Sequence, residues 1–196
     1  MKNFEELWDY IKKDNTMGFE KSKNLYDELK TTKYLNGNTA EIGVYKGKTS
    51  KLIHLFNEDK THYCYDTFEG VALSDSNIDS HKNGEFSCSL NNVKDFLGEN
   101  NIVYKVGIFP NTFNEKNEKF SFVHSDTDTY AGAKATLDCF SKIIVYNGKM
   151  LFDDYKWNHC KGIEKAINEF FLKNKNFSFK EYKNQCVLTN KNIKLI

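Results

Sequence analysis

The stretch AEIGVYKGKTS, Ala40 to Ser50, decides how this chain is read. It leaves an apolar strand through a carboxylate, two glycines and two lysines, then enters a helix on Thr49 and Ser50. The residues before it, Thr31 to Asn38, are polar, and those after it, Leu52 to Phe56, are apolar at helical spacing. Strand, tight turn and helix start in direct succession form the corner at which α/β proteins hold nucleotide-like ligands. The free amides of the first helical turn point at the ligand, and glycine lets the backbone approach it.

Outward from this corner the pattern alternates. Phe4, Leu7, Trp8 and Ile11 recur with the helical period, and a second helix is expected from Phe19 to Leu29. Strands are expected at 39–44, 61–66, 102–106 and 119–126, interleaved with helices at 50–56, 90–97 and 130–140. Asn147-Gly148 reads as a turn before a strand at 149–154, followed by a helix at 162–171. The segments FSFKEY and QCVLTN, separated by Lys183-Asn184, read as a closing hairpin. Strands alternating with helices predict an α/β fold with a mainly parallel sheet, helices on both faces and one antiparallel strand from the hairpin. The polar residues from Ser74 to Glu85 form a long loop, the one region expected to be mobile. A single domain is expected over residues 1–196, with 1–35 as a helical cap and 36–196 as the α/β core.

Bulk composition narrows the function. The 196 residues are 39% hydrophobic and 15% aromatic, as in a globular chain, and the formal net charge is +1. No basic face is demanded, so neither nucleic acid nor a membrane surface is expected as a partner. The apolar runs fall far short of a membrane span, and the N-terminus has no secretory apolar region. The five cysteines are scattered and form no CxxC, which suits reduced thiols and a cytoplasmic setting.

The corner also constrains its ligand. The pattern Glu41-x-Gly43-x-x-x-Gly47 has Tyr45 where a dinucleotide fingerprint needs its middle glycine. Glu41 would repel a phosphate but suits an ammonium group, and Asp66, closing the next strand, is placed to take ribose hydroxyls. An adenosine with a cationic amino-acid tail and no phosphate is S-adenosylmethionine. A plain turn glycine beside an exposed acid fits the same residues.

Further along, Asp126 ends one strand and Asp153 and Asp154 end the next. Strand C-termini in a parallel sheet converge on the ligand site. Carboxylates gathered there repel one another unless a cation lies between them, and a hard ion such as Mg²⁺ suits oxygen donors. Helix capping by Asp128 or Thr129, and a simple turn at Asp154, explain the same acids without a metal.

The segments NTM (15–17), YDTFEG (65–70), GIFPNT (107–112), VHSDTDTY (123–130) and LFDDY (151–155) follow the glycine corner in register. Together they resemble the macrocin O-methyltransferase-like family of class I, metal-dependent sugar O-methyltransferases, over about residues 15–190. The resemblance implies a Rossmann-like class I methyltransferase fold with a seven-stranded sheet. It implies S-adenosylmethionine bound by Met17, Glu41, Gly43, Val44, Gly47, Thr49, Asp66, Thr67 and Phe68. In this reading Glu41 and Gly43 face the methionine tail and sugar, and Thr49 caps the helix. The resemblance also implies Mg²⁺ on Asp126, Asp153 and Asp154, and a sugar or nucleotide-sugar acceptor. A homo-oligomer is left open.

An acceptor hydroxyl is a poor nucleophile near neutral pH, so a base must take its proton. Asp128 is the first candidate and Asp126 the second. His124 is an alternative base, although a histidine within a strand is commonly a packed polar residue. Tyr155 and Trp157 read either as an apolar platform for a sugar or as ordinary loop aromatics.

Overall fold

The computed structural model describes residues 2–192. Its elements run α1 (Phe4–Ile11), α2 (Gly18–Thr32), β1 (Asn38–Ile42), α3 (Lys48–Phe56), β2 (His62–Asp66), α4 (Leu90–Leu97) and β3 (Ile102–Val106). β4 (Phe120–Ser125), α5 (Tyr130–Phe140), β5 (Ile144–Asp153), α6 (Lys161–Lys173), β6 (Phe177–Tyr182) and β7 (Gln185–Asn190) follow. The strands form one seven-stranded sheet in the order β3-β2-β1-β4-β5-β7-β6. The pairs β1–β2, β2–β3, β1–β4 and β4–β5 are parallel, and β7 runs antiparallel to both β5 and β6. The expected mainly parallel sheet with a closing hairpin is therefore the observed one.

Strand alternation divides the core between the two faces. Ala40, Ile42, Val123, Met150 and Phe152 point to the face covered by α5 and α6, where they meet Ala133, Leu137 and Ile163. Phe122, Leu151 and Val187 point the other way, against Phe4 and Leu7 of α1, Leu25 and Leu29 of α2, and Leu52 and Ile53 of α3. A smaller cluster of Val44, Cys64, Phe68, Val93 and Leu97 seats α4. The two N-terminal helices thus share the core of the α3 face.

One local expectation fails. Asn147-Gly148 is not a turn but lies within β5, which begins at Ile144. The β4–β5 register jumps from Phe120↔Ile144 to Phe122↔Lys149, so the extra residues are absorbed as a bulge, with Asn147 at φ +60°. A turn-forming dipeptide serves an irregular strand as readily as a reversal.

The loop between β2 and α4 is long but tied. Val71 and Glu85 are paired through their backbones at 2.8 Å, and the Ser80 N–H donates to the His159 carbonyl at 3.2 Å. The buried Asp79 carboxylate accepts from the Tyr130 N–H at 3.0 Å. These contacts hold the loop against the C-terminal ends of the strands. No helix among the described residues is long and apolar enough to cross a membrane.

Candidate active site

Strand order reverses between β1 and its two neighbours, β2 and β4, and this switch point opens a crevice at the strand C-termini. A cavity of about 330 Å³ lies there. Met17, Gly43, Val44, Thr49, Asp66 and Thr67 line it on one side, and Asp126, Asp128, Asp153 and Asp154 on the other. One space therefore joins the two groups of residues that the sequence singled out separately.

On the first side, Asp66 organises the glycine turn. Its Oδ2 accepts the N–H groups of Val44 (2.6 Å) and Tyr45 (2.8 Å), and its Oδ1 accepts that of Phe68 (2.7 Å). Three of the roughly four lone-pair directions of a carboxylate are thereby used, and one is left for a ligand hydroxyl. Gly43 (φ +85°) and Gly47 (φ +73°) adopt the left-handed backbone that glycine tolerates.

Four placements on this side differ from expectation. Glu41 does not face the cavity: its side chain points to the α3 face because Ala40 and Ile42, its strand neighbours, point to the α5–α6 face. It is 1% exposed, and its carboxylate accepts from the Ser50 hydroxyl and meets His124 Nδ1 at 2.8 Å. Thr49 lines the cavity but does not cap α3, since Gly47 holds the cap position without a side-chain bond. Gly47 lies under the turn, where a side chain would meet Val93 and Leu97. Phe68 packs into the α4 cluster and shapes the turn from below.

The second side is strongly electronegative. One carboxylate oxygen from each of Asp126, Asp153 and Asp154 lies within 4.8 Å of the others. Lys21 of α2, which the sequence reading missed, reaches Asp153 Oδ2 at 3.1 Å and Asp154 Oδ1 at 2.6 Å. Burial alone would depress the lysine, but Asp153 and Asp154 outweigh it and raise its pKa. One ammonium cannot neutralise three carboxylates, so the acids hold their protons more tightly than isolated carboxyls do. Burial and the neighbouring acids push Asp126 well above, and Asp153 above, the usual carboxylate range. Asp153 Oδ1 is buried with no hydrogen-bond partner. An orphaned oxygen within three converging carboxylates fits a hard divalent cation, which would satisfy it and relieve the repulsion.

Asp128 is not a helix cap. Thr129 caps α5, its side chain accepting from the Gly132 N–H at 3.1 Å. Burial first, then Asp154, pushes the Asp128 carboxyl up to about 7. His124 is fully buried against Glu41 and does not line the cavity, which removes it as a base. Tyr155 is buried, with its ring 5.5 Å from that of Phe179. Trp157 is 38% exposed and lines the cavity, with Lys21 Nζ 5.6 Å from its ring centroid. Lys21 could be found in sequence only by placing it one helical turn after Met17, on the same face of α2.

The sequence model of the family described as Macrocin-O-methyltransferase (TylF) matches residues 14–181. Several solved structures share the fold. The O-methyltransferase NovP is 18% identical, with a TM-score of 0.71 over 87% of this chain and 80% of that one. CalS11, a calicheamicin methyltransferase, is 15% identical, with a TM-score of 0.71 over 95% and 80%. Its apo structure, described as that of a TDP-rhamnose 3'-O-methyltransferase, is 17% identical at a TM-score of 0.63 over 95% and 86%. The SAH-bound Podospora anserina methyltransferase PaMTH1 is 13% identical, with a TM-score of 0.62 over 95% and 87%. No curated protein matches the chain.

Proposed function

The chain belongs to the macrocin O-methyltransferase (TylF) family and is an O-methyltransferase, and on that premise we propose a cytoplasmic, S-adenosylmethionine-dependent and Mg²⁺-assisted enzyme that methylates a hydroxyl of a sugar, nucleotide sugar or glycosylated small molecule. The observation that carries this reading is the shared cavity, in which the Asp66-braced glycine turn faces the cluster of Asp126, Asp153 and Asp154. Support for the donor comes from the SAH complex of PaMTH1, and support for the sugar from the TDP-rhamnose substrate named for CalS11. The cytoplasmic setting rests on five unpaired cysteines.

When bound, S-adenosylmethionine would supply a methyl group on a sulfonium, and Mg²⁺ would lower the acceptor hydroxyl's pKa. Asp66 would hold the ribose through its remaining lone pair, with Met17, Gly43, Val44, Thr49 and Thr67 around the rest of the donor. Glu41, Gly47 and Phe68 act from beneath by fixing the turn. Asp126, Asp153 and Asp154 would hold the cation. Asp128, which lines the same cavity outside that cluster, would take the acceptor hydroxyl's proton while the departing methyl leaves the sulfonium as a neutral thioether. Trp157 offers an apolar face against which a sugar ring can lie.

The test is methyl transfer from S-adenosylmethionine to a panel of nucleotide sugars and of catechols, with Mg²⁺ or with EDTA. Methylation of a sugar hydroxyl that EDTA abolishes supports the reading. Methylation of catechols alone would remove the sugar, and EDTA-insensitive turnover would remove the metal.

A further inference from the structure

Beside the three-aspartate cluster lies a second group of donors of different chemistry. His81 comes from the long loop, Asp128 from the corner between β4 and α5, and Cys160 from the start of α6. One ligand atom from each falls within 4.8 Å of the others. The Cys160 thiol is buried and lies 3.8 Å from Asp128 Oδ1 and 3.8 Å from Asp154 Oδ2.

We propose that His81, Asp128 and Cys160 form a site for a borderline-soft divalent cation, of which Zn²⁺ is the type. The donor set selects this class. Nitrogen, sulfur and a single carboxylate suit Zn²⁺ or Co²⁺, whereas the all-oxygen cluster of Asp126, Asp153 and Asp154 suits Mg²⁺. A fourth residue outside the trio prepares the histidine. Glu85 Oε2 lies 2.7 Å from His81 Nδ1. A carboxylate only accepts, so Nδ1 is the donor in this contact, and a neutral ring would offer Nε2 to a metal. A carboxylate behind a ligating histidine fixes its tautomer in the same way in zinc sites generally. Binding would replace the thiol proton of Cys160 with a metal–sulfur bond and release that proton to solvent. A filled site would pin the long loop to the protein body and occupy Asp128, so a soft cation would inhibit any reaction that uses Asp128 as base.

Cobalt reports the site without any assay of activity. The metal-free full chain is titrated with Co²⁺ and its absorbance recorded. The site predicts a thiolate-to-cobalt charge-transfer band that saturates, that Zn²⁺ removes, and that Cys160→Ser abolishes. His81→Gln, a change on the loop, should weaken Co²⁺ binding by at least about tenfold, and Glu85→Gln by about tenfold. Asp153→Asn should leave the band in place. No charge-transfer band in the wild type would overturn the proposal. So would a band that survives His81→Gln at unchanged affinity or that disappears in Asp153→Asn, since cobalt would then sit on the aspartate cluster.

Discussion

The carbonyl of Asp126 occupies the place where a side chain on Gly43 would begin. The Asp126 N–H also donates to the Ile42 carbonyl at 2.8 Å. The turn after β1 and the Asp126 end of the carboxylate cluster are thus one corner, closed by backbone. Gly43→Ala should disturb both: the alanine Cβ would strike backbone that cannot swing away, and at φ +85° it adds strain of about 1–3 kcal/mol on its own. A lowered melting temperature and loss of S-adenosylhomocysteine binding are expected. A wild-type melting temperature and affinity would show that the corner is not closed in this way.

Glu41 belongs to the scaffold, paired with Ser50 and His124 beneath the turn. Glu41→Gln should cost about 1–3 kcal/mol of stability, because a buried acceptor network loses its best member. S-adenosylhomocysteine affinity should stay within about threefold of wild type, a change of less than about 1 kcal/mol. Thermal melts and calorimetry on the same sample check both parts. A large loss of affinity without a loss of stability would return Glu41 to the ligand.

Asp154→Asn should separate donor binding from turnover. Asp154 touches Lys21 and the carboxylate cluster, whereas the side of the cavity proposed for the donor is built on Asp66. Turnover should fall by at least about 100-fold, or about 2.7 kcal/mol, with S-adenosylhomocysteine affinity changed only a few-fold. Equal losses in both would contradict a metal role for Asp154.

Without a divalent cation, stability should fall as pH rises through neutrality. Burial and Asp154 push the Asp128 carboxyl up to about 7, and Asp126 and Asp153 are raised as well. The folded state therefore binds these protons more tightly than the unfolded chain, so their contribution favours folding at lower pH and is lost as pH rises from the unfolded carboxylate range through about 7. The Glu28 and Glu115 carboxyls, lowered by their lysine and tyrosine partners against the cost of burial, act in the opposite sense only at more acid pH, and the His54 and His62 imidazoles, lowered first by burial, offset part of the trend near pH 6. With EDTA, the melting temperature near pH 6 should exceed that near pH 8 by about 2–4 °C, and Mg²⁺ should erase the difference by stabilising the protein most at the higher pH. A flat profile in EDTA would contradict the electrostatics of the cluster.

Much of the fold was legible because each element carried its own period. The helices 90–97 and 130–140 and the closing hairpin stand where their patterns put them. Asn147-Gly148 misled because turn chemistry is local, whereas the β4–β5 register that makes it a bulge is set by distant pairing. The gathering of Asp126, Asp153 and Asp154 was legible because strand ends after apolar runs need no carboxylates. The direction of the Glu41 side chain was not legible, because it depends on which face of β1 meets α3. Lys21 was hidden for a related reason. It reaches Asp153 and Asp154 only because α2 packs over the end of β5, a contact between segments more than a hundred residues apart.

The glycine turn braced by Asp66 is proposed to bind an adenosyl donor beside a cation site. Calorimetric titration with S-adenosylhomocysteine, in Mg²⁺ and then in EDTA, for the wild type and for Asp66→Asn, tests it most directly. Binding by the wild type is expected in both conditions, weakened in the variant by at least about tenfold through loss of a charged hydrogen-bond acceptor. No binding by the wild type in either condition would contradict it.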